Sequence, residues 1–166
     1  MDVTARARAL IEPVPAHRTA GITVLRAADG AAEVALVTPP GMVNVIGSLH
    51  SSGLTALADA AGLAAILAAS RSDGDIDGVL PLGAAATMRF LAPARGRLLA
   101  RCALSEEARQ SLDSLLSGQR DRTRIATAAG ITDESGTLVC EGTFQWSIRR
   151  RTSAFLPGQP APTDLP

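Results

Sequence analysis

The sequence predicts an α+β fold in which an antiparallel sheet wraps a single buried helix. Three observations carry that prediction. The run Leu54–Ala69 is apolar apart from one charge, Asp59, and a helix that is hydrophobic on all sides belongs in an interior. Stretches of β character outnumber helical ones and are joined by short turns, which favours antiparallel pairing. The first two of them, Ile22–Ala27 and Ala32–Thr38, flank Asp29-Gly30, a strong signal for a tight hairpin. A lone apolar helix must then be wrapped by the sheet or covered by a partner.

Each element follows in order. Residues 3–11 suit a short amphipathic helix, ended by Pro13 and Pro15. After the hairpin, Pro39-Pro40-Gly41 breaks the second strand and opens a loop. The apolar helix runs from about Ser51 to Ala69, and the polar stretch Ser72–Gly78 leads out of it. Val79–Leu91 reads as a long strand stopped by Pro93, and Arg97–Leu104 as the next. Ser105-Glu106-Glu107 has helix-start chemistry, a capping hydroxyl followed by acids in the first turn. Leu112, Leu115 and Leu116 give that helix its apolar stripe, and Gly118 can close it. Arg124–Thr132 and Thr137–Arg150 flank the turn Asp133–Gly136. The tail from Arg151 contains four prolines and is expected to be irregular. The expected organisation is one domain over 1–166, with a core of about 20–150, an N-terminal helix in 1–15 and the Pro-rich tail 151–166.

Composition narrows the function classes. The chain has 166 residues and zero net charge, with 46% hydrophobic and 19% charged residues. Three Phe and one Trp are its only aromatics, so the core is built from Ala, Leu, Val and Ile. Every basic residue is Arg, and these are dispersed apart from Arg149-Arg150-Arg151, so nucleic-acid binding has no electrostatic footprint. The first residues lack the apolar segment of a secretory signal. Leu54–Ala69 is short for a membrane span and carries Asp59 at its centre. Cys102 and Cys140 lack metal-ligand spacing and read as reduced, buried thiols. The expectation is a cytoplasmic protein with neither metal nor cofactor. Asp73-Gly-Asp-Ile-Asp-Gly78 opens like a calcium loop, but its twelfth position is Ala84 instead of Glu, so it reads as a solvated turn.

Asp59 is the feature that points to chemistry. A carboxylate on a buried helix is costly unless it is paired, hydrogen-bonded or used, and Thr55, one turn earlier, is the nearest local partner. The segment Asn44-Val-Ile-Gly-Ser-Leu-His50-Ser-Ser-Gly53 feeds the same helix and brings polar groups to it. The first amides of a helix are unpaired donors with partial positive charge, able to receive a carbonyl oxygen that becomes negative during acyl transfer. A carboxylate two turns on could attack that carbonyl or activate water against it. His17, beside prolines, is expected at the surface.

The spacing Asn44, His50, Asp59 within Asn-Val-Ile-Gly-Ser-Leu-His-Ser-Ser-Gly-Leu-Thr-Ala-Leu-Ala-Asp resembles the hotdog-fold acyl-CoA thioesterases of the phenylacetate-pathway type. Their signature runs Asn, Gly, His-Gly-Gly, then Leu-Ala-Asp. Met88-Arg-Phe-Leu-Ala-Pro-Ala94 is similar to the strand that follows their helix, and residues 136–149 to their last strand. The resemblance implies a hotdog domain acting on an acyl-CoA or acyl-carrier thioester, assembled as a homodimer or a dimer of dimers with the active site at a subunit interface. Asp59 would be nucleophile or base, and the Ser51 amide (with Ser52 as the neighbouring candidate) would polarise the carbonyl. Asn44 and His50 would hold the loop, with Ser52, Gly53, Leu54, Ala58, Met88 and Phe90 around the substrate. CoA would enter only as part of the substrate, and neither nucleic acid nor membrane is an expected partner.

The chain departs from that pattern in three places. It has His50-Ser-Ser for His-Gly-Gly, and Gly83 where some relatives place a water-orienting hydroxyl. The insert Ser105–Gly118 is more similar to a less-characterised sister group of hotdog domains. Two alternatives stand beside hydrolysis: an acyl-CoA hydratase or dehydratase, which would require His50, and a non-catalytic acyl-ligand binding or dimerisation module.

Overall fold

Two short helices come first. In the computed structural model, which describes residues 2–70 and 78–150, Asp2 caps α1 (Val3–Ile11) by accepting from the Thr4 N–H. α2 (Pro15–Ala20), not anticipated from the sequence, follows. Pro15 was expected to end a helix, but it occupies the first turn of a new one, where its missing N–H costs nothing. Gly21, at φ +68°, closes that helix in the left-handed conformation.

The hairpin forms as expected from β1 (Thr23–Ala28) and β2 (Ala31–Val37), with Asp29 and Gly30 both at positive φ. Positive φ at both central residues matches the twist of paired strands. The central helix α3 (Ser51–Ala68) comes next, then β3 (Val79–Phe90), β4 (Arg97–Ala103), α4 (Glu106–Leu116), β5 (Arg122–Thr132) and β6 (Leu138–Arg150). Ser105 caps α4 through its hydroxyl, and the Arg150 guanidinium donates to the carbonyls of Leu115 and Leu116 at its other end. Residues 71–77, which hold all of the calcium-like segment but Gly78, and the tail (151–166) lie outside the described residues.

The six strands form one sheet in the order β1-β2-β4-β5-β6-β3, antiparallel throughout. It wraps α3, which touches every strand, while α1 and α2 pack on the helix from another side. This is the hotdog architecture. By length and composition α3 could cross a bilayer, but here twelve of its eighteen residues are buried as the core helix. Its small residues let the sheet close on it. A Cβ at Gly62 would lie 2.6 Å from the Thr127 hydroxyl and 3.0 Å from Trp146, whose indole N–H donates to that hydroxyl at 2.8 Å.

The two edges of the sheet are treated differently. Side chains at one helical spacing on α1 cover the outer edge of β1. Thr4 exchanges hydrogen bonds with Ala27, Arg8 donates to the Val24 carbonyl, and Glu12 accepts from the Val24 N–H. Such capping blunts an edge that would otherwise pair with another chain. On β3, by contrast, residues 82–87 are exposed without interruption, and Phe90 beyond them is exposed as well.

Candidate active site

The loop before α3 is shaped by Asn44. Its side-chain oxygen accepts from the N–H groups of Ile46 and Ser48, both at 3.1 Å. Gly47, at φ +71°, makes the turn, and its N–H donates to the Asn44 carbonyl. Ser48, buried, then accepts from the Ala94 N–H at 2.8 Å and ties the loop to the segment after β3. The loop therefore reaches α3 in a fixed path.

His50 is the N-cap of α3. Its Nδ1 accepts from the Ser52 N–H at 3.2 Å and lies 2.9 Å from the Ser52 hydroxyl. Since an amide N–H can only donate, Nδ1 must be the unprotonated nitrogen when the ring is neutral. The His50 carbonyl accepts from Gly53 and Leu54. Of the first amides of the helix, Ser52 and Gly53 are thus engaged, and Ser51 makes no hydrogen bond through its N–H among the described residues. The free donor is the Ser51 amide, so the neighbouring candidate, Ser52, does not fill that role.

An open groove of about 490 Å³ lies against this helix end, lined by Asn44, Ile46, Ser48, Leu49, His50, Ser51, Leu54, Phe90 and residues 91–93. It brings together Asn44, His50, Ser51, Leu54 and Phe90 from the expected set. Three others lie elsewhere. Gly53 is buried, and a Cβ there would lie 2.7 Å from the Leu49 side chain, so close packing and not substrate accounts for this glycine. Ala58 is fully buried and meets Met88 across Gly142, where a Cβ would lie 2.8 Å from Ala58 and 2.9 Å from the Met88 sulfur. Gly53 and Ala58 are thus buried and Met88 is half-buried against the core, and none of the three lines the groove. Ser52, exposed, is occupied with the cap.

Asp59 does not bond Thr55, whose hydroxyl donates to the Ser51 carbonyl instead. Its partner is His17. The Asp59 Oδ2 lies 3.1 Å from His17 Nε2, and His17 Nδ1 lies 2.9 Å from the Ile11 carbonyl. His17, expected at the surface, is instead 3% exposed, because α2 lays it against α3. Burial works against charging the ring. The hydrogen bonds to Asp59 and Ile11, with the Asp59 charge, outweigh that and hold His17 above its ordinary value. The Asp59 side chain remains 28% exposed, and its Oδ1 makes no hydrogen bond among the described residues.

The partly open residues of α3 beyond Ser51, namely Ser52, Thr55, Ala56, Asp59 and Leu63, lie along one side of the helix. Ser51 and Asp59 are both accessible, but eight residues of helix put them about 12 Å apart along its axis. One copy of the helix cannot close both on one carbonyl. A carboxylate two turns on is therefore out of reach of a carbonyl held by its own helix end. Among the described residues no group of three or more His, Cys, Asp or Glu is placed to hold a metal ion.

Residues 4–148 match a protein family described as a domain of unknown function, DUF4442. No curated protein matches the sequence significantly. Among solved structures, a Pseudomonas aeruginosa protein of unknown function described as a probable thioesterase shares 26% identity at a TM-score of 0.73, with 89% of this chain and 96% of that one covered. The Escherichia coli PaaI protein of the phenylacetic acid degradation operon shares 18% at 0.63, covering 89% and 95%. The phenylacetic acid degradation protein PaaI of Thermus thermophilus shares 22% at 0.59, covering 80% and 97%.

Proposed function

The chain belongs to the DUF4442 family and has the hotdog fold of the thioesterase superfamily, and on that premise we propose that it hydrolyses an acyl thioester carried on CoA or an acyl carrier. The observation that carries the reading is the Asp59 carboxylate, with one oxygen held by His17 and the other free on the uncovered face of α3.

Thioester hydrolysis needs a donor for the carbonyl oxygen and a group that activates the attacking oxygen. The Ser51 N–H, at the positive end of α3, supplies the donor. Asp59 Oδ1 takes a proton from water as the water oxygen bonds to the carbonyl carbon. The carbonyl electrons move to the oxygen facing Ser51. When they return, the C–S bond breaks, and the departing thiolate takes the proton back from Asp59, leaving acid and thiol. In the nucleophilic variant Asp59 itself bonds the carbon and the C–S bond breaks to release the thiolate; water then cleaves the mixed anhydride, freeing the acid and Asp59 and giving the thiolate its proton. Label found in Asp59 after a single turnover in ¹⁸O-water identifies the second route with water attacking the Asp59 carboxyl carbon, because the general-base route never places a water oxygen there.

The 12 Å between Ser51 and Asp59 is bridged by a second copy of the chain. The open β3 edge is the pairing surface, with Phe90 and Leu82 exposed along it, whereas β1 is already covered by α1. Two copies joined there by a two-fold run their α3 helices in opposite directions, so Asp59 of one faces Ser51 of the other. The groove at the helix end receives the acyl group between Leu54 and Phe90.

The test is hydrolysis of aryl, short, medium and long acyl-CoAs by wild type and Asp59→Asn. Loss of a general base is expected to lower kcat about 10²–10⁴-fold. Equal rates in the two proteins overturn the mechanism.

A further inference from the structure

His17 holds one oxygen of Asp59 but takes no step in the hydrolytic scheme, which does not explain why a histidine is buried beside its carboxylate. The ring is spanned at both ends: Ile11 carbonyl at Nδ1, Asp59 Oδ2 at Nε2. A carbonyl can only accept, so Nδ1 carries a hydrogen. An ionised carboxylate can also only accept, so Nε2 carries one as well. The pair is then imidazolium and carboxylate, and the net raising of the His17 value agrees with that assignment.

We propose that His17 is a positioning residue for Asp59, clamping Oδ2 through Nε2 so that Oδ1 is the oxygen presented to the reaction. The inference rests on the hydrolase reading and deepens it. The clamp is rigid for structural reasons. α2 begins at Pro15, whose fixed φ sets its entry, and is capped by Gly21, whose N–H donates to the Arg18 carbonyl while the Ile22 N–H donates to the His17 carbonyl. The histidine is thereby held on backbone that is itself tied at both ends. A carboxylate on an alanine-rich helix would otherwise sample several rotamers, and the ion pair selects one. α2 contributes no other side chain to Asp59.

Positioning should appear in kcat and leave KM nearly unchanged. Misplacing a reacting group by about 1 Å costs up to roughly 10²-fold, so His17→Ala is expected to lower kcat about ten- to a hundred-fold with KM within about two-fold. A folded His17→Ala with wild-type kcat overturns the proposal. The comparison of His17→Gln with His17→Asn covers a His17→Ala that does not fold. Gln carries its amide toward the Nε2 position and Asn toward Nδ1. Gln retaining about ten-fold more kcat than Asn supports the clamp, and equal kcat in the two overturns it. Asp59→Asn, run in parallel, keeps the two readings apart. If Asp59→Asn hydrolyses as fast as wild type, the Asp59 mechanism fails, and if neither protein hydrolyses any substrate, the hydrolase reading fails. If Asp59→Asn is inactive while His17→Ala is as fast as wild type, only the clamp fails.

Discussion

Replacing His50 by Ala and by Asn decides between two roles that the position allows. The structure uses the ring as a cap: Nδ1 takes the Ser52 N–H at 3.2 Å and meets its hydroxyl at 2.9 Å. His50 is exposed, so no core packing is lost with the ring. Removing a side-chain cap costs about 1 kcal/mol. For a chain of this length that lowers Tm by about 2–4 °C. Asn is among the strongest capping residues, so His50→Asn should recover most of the loss. Activity of both variants should stay within a few-fold of wild type. A proton-transfer role, as an acyl-CoA hydratase would demand, predicts instead a fall of about 10²–10⁴-fold in kcat. Thermal melting by circular dichroism and steady-state kinetics on the same samples separate the cases. A His50→Asn protein that melts like wild type but has lost 10²-fold or more in kcat refutes the capping account.

Two more predictions follow from packing and charge. Gly62→Val places a branched side chain where even a Cβ would sit 2.6 Å from the Thr127 hydroxyl. Overpacking of this kind costs roughly 1–3 kcal/mol, so Tm should fall by several degrees, with a red shift in fluorescence from Trp146, the only tryptophan. Unchanged melting and emission would contradict the close contact. The His17–Asp59 pair should make stability depend on pH. Because the folded state holds His17 above its ordinary value, its contribution is fully present below about pH 6.5 and is lost as pH rises through the folded value. The stability gap between wild type and His17→Gln in urea titrations should therefore be wider at about pH 6 than at about pH 9. A gap that widens with pH would contradict the assigned ion pair.

What was legible in the sequence was what neighbouring residues decide. Asp29-Gly30 turns the chain with both residues at positive φ, and the apolar run after Ser51 becomes the central helix. Ser105 caps α4 as its hydroxyl suggested. Asn44, His50 and Ser51 gather at one helix end because six to seven residues of loop can place them nowhere else. α2 was missed because Pro15 stops one helix and starts another, although Pro at its first position and Gly21 just after it form a readable pair. The burial of His17 was illegible for a different reason: its partner lies 42 residues away, and only the packing of α2 on α3 brings them together. That Gly53, Ala58 and Met88 do not line the groove was not legible, because which face of an all-apolar helix meets its surroundings is settled by contacts such as those at Leu49 and Gly142, not by periodicity.

The two serines after His50 acquire separate meanings once the hydrogen bonds are assigned. A Gly-Gly pair keeps this turn open by lacking side chains, so serine at both positions raised the question of whether the backbone stays reachable. Ser52 answers by turning inward along the chain, its hydroxyl and N–H both given to the His50 ring. That consumes one donor but fixes the first turn, and it leaves the preceding amide as the accessible one. Ser51 is exposed, and its carbonyl is taken by Thr55 while its N–H remains free. A carbonyl oxygen therefore needs to approach only one amide, at the end of the helix where the aligned peptide dipoles are strongest. On this geometry, Ser52→Gly loses the hydroxyl contact to His50 and loosens the turn, whereas Ser51→Gly alters only the space around the donor. The serine pair is thus compatible with the proposed hydrolysis because its two members differ: one holds the turn, and the other leaves its amide accessible.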